Sequence, residues 1–175
     1  MLTAIGVSTV HGNASVEKVT LNCLRILRAL DKTDIPVHIG ASRGLLHQNI
    51  SAKNIHGESG LDGTTLLPEL RREDKPSGKK AVLAMAEALL AQEKGTAVLV
   101  ATGSMTNLAL LISLFPEVVE WLKGFVIMGG AVSVGNITPV AEFNIWVTKS
   151  AIDLTLRVIL RQHKCSFQLR KLRRN

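Results

Sequence analysis

Three residues in the stretch GNITPVAEFNIW, residues 135–146, are of types that could do chemistry: Asn136, Glu142 and Asn144. They stand among Phe143, Ile145 and Trp146, where a carboxylate is costly to bury without partners. The hydroxyl groups of a sugar would meet that set of donors and acceptors, and so would protein backbone. Polar groups follow other apolar runs in the same way, with Asn13 in HGN and Thr106 and Asn107 in TGSMTN. Taken singly, Asn13, Thr106 or Asn107 reads as a helix or turn cap.

The elements that would position these residues alternate along the chain. LTAIGVS (2–8) is a short β-rich run, followed by a helix in which Val16, Val19, Leu24, Leu27 and Leu30 recur at helical spacing. IPVHIG (35–40) is a second strand and GTAVLVAT (95–102) a third, with a helix over residues 78–94 between them. TNLALLISLF reads as a helix and KGFVIMGG (123–130) as a fourth strand. Apolar strands separated by crossover helices define the fold class as α/β, an open, mainly parallel sheet flanked by helices. Ligands of such sheets sit beyond the C-terminal strand ends, and HGN, TGSMTN and the GNITPVAEFN stretch all follow predicted strands. They are therefore expected on one edge of the sheet. Residues 41–74 are Gly-rich and aperiodic, the mark of a functional loop.

A chain of 175 residues with 46% hydrophobic content is expected to bury the core of one domain. It contains no apolar run near the roughly 20 residues needed to cross a bilayer. Its first residues lack a charged segment and cleavage site, so a soluble, unsecreted, cytoplasmic protein is expected. Cys23 and Cys165 lie far apart, and Cys23 reads as a small buried hydrophobe. The net charge of +7 is local: residues 1–156 hold all 14 acids and 14 of the 21 bases. The rest are Arg157, Arg161, Lys164, Arg170, Lys171, Arg173 and Arg174. A helical period runs through Ile152, Leu156, Ile159 and Leu160, beyond which the tail is expected to pack little.

The order of motifs carries more than any motif alone. STVHGNASVEKVTLNCLRIL, IPVHIGASRGLL, HGESGLDG, ATGSMTNLAL and FVIMGGAVSVGNITPVAEFNIW together resemble the inosine/uridine-preferring nucleoside hydrolase family over roughly residues 2–147. The resemblance implies an open α/β fold and hydrolysis of the N-glycosidic bond of a ribonucleoside. It implies a bound Ca²⁺ that holds the attacking water and two ribose hydroxyls. It places ribose-binding groups on Asn13, Asn136, Glu142 and Asn144, a calcium-binding backbone carbonyl on Thr106, Met128 in the sugar pocket and His56 near the base. Asn107 is read as structural.

The sequence departs from that pattern at both ends. The family's Asp-rich segment of the type DTDPGxDDA, source of most calcium carboxylates and the expected general base, has no counterpart in these residues, nor has the downstream His-Asp pair. No catalytic residue is therefore assigned. The chain reads as truncated at both ends, with residues 1–156 a partial nucleoside hydrolase domain and 157–175 a divergent basic tail. These residues alone are not expected to turn over inosine or uridine. Two rival readings are a noncatalytic ribose-binding member of the family and a nucleic-acid or acidic-partner module acting through the tail. Aromatic residues, at 3% of the chain, are too few to interleave with bases, so nucleic acid is not expected. A homo-oligomer is left open.

Overall fold

The computed structural model describes residues 2–45, 51–132, 134–148, 155, 157, 158 and 165–170. The four expected strands form as β1 (Val7–Thr9), β2 (Val37–Ile39), β3 (Val98–Ala101) and β4 (Gly124–Ala131). Among the described residues the three long helices are α1 (Val16–Ala29), α3 (Ala81–Leu90) and α4 (Thr106–Leu114), joined by the short α2 (Lys53–His56), α5 (Glu117–Trp121) and α6 (Phe143–Val147). Among the described residues all pairing between strands is parallel, in keeping with the α/β class with helices flanking the strands.

The sheet is in two parts. β1 pairs with β2, bringing Val7 opposite Val37. β3 pairs with β4, bringing Val98 opposite Gly124 and Ala101 opposite Ile127. Helix α3 packs against β1, β2, α4 and α5 and so underlies both parts. The larger core lies on the β3–β4 side, where Leu99, Met105, Leu108, Leu111, Phe125 and Ile127 are buried together. Each such side chain contributes about 1.5–3 kcal/mol on burial. A smaller cluster of Leu24, Leu27 and Val37 seats α1 on β2, with Cys23 half-buried beside it.

Local chemistry fixes where α1 begins. The Ser15 side chain accepts from the Lys18 N–H, and Glu17 lies in the first turn, where a negative charge favours the helix dipole. Val16, Leu24 and Leu27 are buried as their spacing requires, whereas Leu30, the C-cap, is exposed.

One expectation about the tail is corrected. Cys165–Arg170 form β5, which pairs in parallel with β4, placing Phe125 opposite Cys165 and Met128 opposite Gln168. Residues 157–175 therefore include a strand of the larger sheet rather than only a solvated basic run. The alternation of Cys165, Phe167 and Leu169 with Ser166, Gln168 and Arg170 is a strand period that the surrounding charges obscure. Thr155, Arg157 and Val158 are helical, while Ile152, Leu156, Ile159 and Leu160 lie outside the described residues. Among the described residues no helix is long and apolar enough to cross a membrane.

Candidate functional site

The loops that follow β1, β3 and β4 meet at the C-terminal ends of the strands. Ser104, after β3, donates its hydroxyl to the carbonyl of His11, after β1, at 2.8 Å. The His11 Nε2 lies 3.0 Å from the Thr106 hydroxyl, which joins the HGN loop to the start of α4. His11 is buried, its Nδ1 has no hydrogen-bond partner among the described residues, and burial pushes its pKa below the usual imidazole value. Nothing in the sequence marks His11 for this role beyond its place two positions before Asn13 in the same motif.

Asn107 has the structural role expected of it. Its Nδ2 donates to the Thr9 carbonyl at 2.9 Å and its Oδ1 accepts from the Ala41 N–H at 2.9 Å, so one buried amide ties the ends of β1 and β2 to α4.

The GNITPVAEFNIW stretch forms a capped turn and helix. Glu142 is the N-cap of α6: its buried carboxylate accepts from the Ile145 N–H and from the Gly130 N–H, both at 3.2 Å. Asn136 accepts from the Phe143 N–H at 2.8 Å. Asn144, also buried, donates to the Thr102 carbonyl at 3.3 Å and the Met128 carbonyl at 3.1 Å. Protein backbone thus engages all three polar groups of the opening stretch.

These contacts fix which candidate residues come together. Asn13 and Asn144 line one cavity of about 470 Å³, along with Thr102, Ser104 and His11. Asn13 is exposed and Asn144 is buried. Glu142, Asn136 and Met128 lie just behind Asn144 at the end of β4, and Thr106 lies behind His11, none of them lining the cavity. His56 is not brought there. It ends α2, half-buried, and its loop leans on α1 through Asn22 Nδ2 donating to the Ser59 carbonyl at 2.8 Å and through Lys18 pairing with Glu58 at 3.4 Å.

A family model described as inosine-uridine preferring nucleoside hydrolase matches residues 1–168. The chain belongs to that family. The match runs past residue 147 into β5, so part of the tail is family sequence. A pyrimidine-specific ribonucleoside hydrolase, RihA, of a Shewanella species is 42% identical over 157 residues, covering 89% of this chain and 48% of that protein. Among solved structures, a purine-preferring ribonucleoside hydrolase from Gardnerella vaginalis superposes with a TM-score of 0.81 at 28% identity, covering 88% of this chain and 49% of that one. A plant nucleoside hydrolase superposes at 0.83 and 27% identity, covering 98% and 52%. The chain spans about half the length of the curated relatives it matches, 45% to 48% of the first of them.

The donor set does not fit the calcium ion that the resemblance implies. A calcium site takes about six to eight oxygen ligands, carboxylates among them. The Thr106 carbonyl is one neutral oxygen in the first turn of α4, and the Glu142 carboxylate already caps α6. Among the described residues no group of three or more His, Cys, Asp or Glu comes together.

Proposed function

We propose that this chain provides the sugar-binding side of an N-ribosyl hydrolase site and that its ligand is a ribonucleoside. The observation that carries this reading is that Asn13 and Asn144 line the same cavity at the C-terminal strand ends. Asn13 makes no cap to α1, whose N-cap is Ser15, so its amide is available to a ligand. Breaking a ribosyl C–N bond builds positive charge on the sugar, and neutral amides with one buried carboxylate orient and support that charge without quenching it. Asn13 and Asn144 would hold ribose hydroxyls. Glu142 supports them by fixing the turn at Gly130 and the start of α6, and Met128 and Asn136 anchor that segment through the Asn144 amide and the Phe143 N–H. His56 would reach a base only through movement of its loop.

Orientation alone does not generate the nucleophile, because the described residues supply no carboxylate at the cavity to take a proton from water. The chain is therefore expected to bind nucleoside and not to hydrolyse it.

Titration of the ¹⁵N-labelled protein with uridine and inosine tests both parts. Shifts at the Asn13 and Asn144 side-chain amides, reduced at least tenfold in apparent affinity by Asn13→Ala, are expected, with no free base released over hours. Absence of any shift at millimolar nucleoside would overturn the binding claim. Base release that Asn13→Ala abolishes would overturn the claim of inactivity.

A further inference from the structure

Outside the cavity, the loop HGESGLDG (56–63) closes on itself through its own backbone. The Asp62 N–H donates to the His56 carbonyl at 2.8 Å, and the Gly60 N–H to the Gly57 carbonyl at 3.3 Å. The turn needs positive φ at four places: Gly57 at 65°, Gly60 at 80°, Gly63 at 74° and, without the freedom of glycine, Asp62 at 53°. It sits against the segment that leads into α1, where a Cβ built on Gly60 would stand 2.9 Å from the Ala14 side chain.

Asp62 is the only one of the five aspartates and eight asparagines that precedes a glycine. An aspartate carboxyl carbon lies within reach of the next residue's backbone nitrogen, and a side chain on that next residue hinders their approach; glycine offers no such hindrance. Both Asp62 and Gly63 are exposed, and no atom lies within 4 Å of a Cβ built on Gly63. The Gly63 N–H is held by the Ser59 hydroxyl at 3.1 Å, but Ser59 is exposed too, so water competes for that bond. Asp31 is the contrast within the chain. It is exposed and has the same φ of 53°, yet it precedes Lys32, whose N–H donates to the Leu27 carbonyl at 2.8 Å.

We propose that Asp62–Gly63 is a site of spontaneous isoaspartate formation in the folded protein, and that the change opens the turn that closes this loop. The Gly63 nitrogen bonds to Cγ of the Asp62 carboxylic acid; its proton and the carboxyl hydroxyl leave together as water, giving a five-membered succinimide. A water molecule then adds to the Asp62 backbone carbonyl carbon and breaks the bond from that carbon to the Gly63 nitrogen, which takes a proton back. The chain now runs through Cβ and Cγ, and the carboxylate stands on Cα. One water is lost and one gained, so the mass is unchanged and neither oxidant nor cofactor is consumed. The product carries one more backbone carbon between the N–H groups of residues 62 and 63. The spacing that lets the first reach the His56 carbonyl while the second reaches the Ser59 hydroxyl is thereby lost.

The test keeps the whole chain folded at neutral pH and body temperature for several weeks, then separates its proteolytic peptides. Isoaspartate is read as a second chromatographic peak of unchanged mass that accepts a labelled methyl group from an isoaspartyl methyltransferase. At residue 62 it should form at least about tenfold faster than at Asp31, Asp34 or Asp74, none of which precedes a glycine. Asp62→Glu, which keeps the charge but lengthens the ring to be closed, should remove it. Ser59→Ala, which frees the Gly63 N–H, should speed it. In the converted protein, backbone amide exchange at residues 62 and 63 should be about tenfold faster than in fresh protein, the mark of a local opening. Accumulation at residue 62 in urea-unfolded chain but not in folded protein, or a rate at Asp62 no greater than at Asp31, would overturn the proposed site. Conversion that leaves amide exchange at residues 62 and 63 unchanged would overturn the opening of the turn.

Discussion

The side-chain amide of Asn144 donates to the carbonyl of Met128 at 3.1 Å, so a residue that lines the cavity also fastens α6 to β4. The same Nδ2 reaches the Thr102 carbonyl at 3.3 Å, adding the end of β3 to the junction. Asn144→Asp keeps the size of the side chain but replaces the donor with an acceptor facing two carbonyls. It is expected to lower stability by about 1–3 kcal/mol, the cost of leaving buried polar groups unpaired. Urea unfolding measures that loss, and a variant as stable as the parent would mean that Asn144 serves the ligand alone.

Gly40 ends the IPVHIG run read as a strand, and the structure leaves no room there for a side chain. A Cβ at this position would overlap the Thr9 carbonyl and both terminal atoms of the Asn107 amide. Relief would require shifting the backbone of β1 or breaking the amide that ties β1, β2 and α4 together. Gly40→Ala is therefore expected to cost about 1–3 kcal/mol, the range for an overpacked interior. Gly63→Ala is the contrast within the same protein: no atom lies within 4 Å of a Cβ there, although the positive φ of 74° adds local strain. The discriminating measurement is whether Asn107→Ala rescues part of the Gly40→Ala loss in a double-mutant cycle.

Acid should act on the pair formed by Arg28 and Asp74. The Arg28 guanidinium donates to the Asp74 carboxylate, and the Arg71 N–H donates to the same oxygen at 2.7 Å, which holds the Asp74 pKa below its ordinary value. A carboxyl whose pKa is lower folded than unfolded contributes its full stabilisation above the unfolded value, about 3.9. That contribution is lost as pH falls through the folded value. Asp74→Asn should thus be less stable than the parent at neutral pH, with the gap narrowing below about pH 4. Thermal unfolding measured from pH 7 to pH 3 decides it, and a gap that stays constant with pH would show that the ionised carboxylate contributes nothing.

How much of this was legible in the sequence varies with the physics involved. The four apolar strands and three long helices follow from burial, which leaves a period in the chain, although the strands are shorter than expected and β1 begins at Val7 rather than at residue 2. Asn107 was readable as structural because amides next to helix starts cap and tie. The role of Glu142 was not, since an N-cap and a sugar ligand demand the same oxygen, and only the positions of the Gly130 and Ile145 N–H groups separate them. His56 was placed by family likeness, but the loop that carries it is set by Asn22 and Lys18 on α1, contacts with no local signature. The division of the sheet could not be read either, because pairing partners are chosen across long sequence distances. β5 was hidden for another reason: the bases around it drew attention to charge, while its alternation of apolar and polar residues was present throughout.

That strand yields the sharpest reversal. β4 has β3 on one side and β5 on the other, and its Phe125 and Ile127 are 1% and 0% exposed. Ending the chain at Lys164 would convert β4 from an interior strand into an edge with its N–H and C=O groups unpaired along Phe125–Met128. A loss of about 2 kcal/mol, hence a thermal midpoint lower by about 4–8 °C for a chain of this size, is expected. Truncation also removes charge, so two single substitutions isolate the pairing. Consecutive residues of a strand direct their N–H groups to opposite sides, and only one of Phe167 and Gln168 can therefore donate to β4. Proline lacks the N–H, so of Phe167→Pro and Gln168→Pro one should be markedly less stable than the other, while both leave the tail's net charge untouched. Equal midpoints for the parent, the truncated chain and both proline variants would show that β5 is not part of the folded sheet.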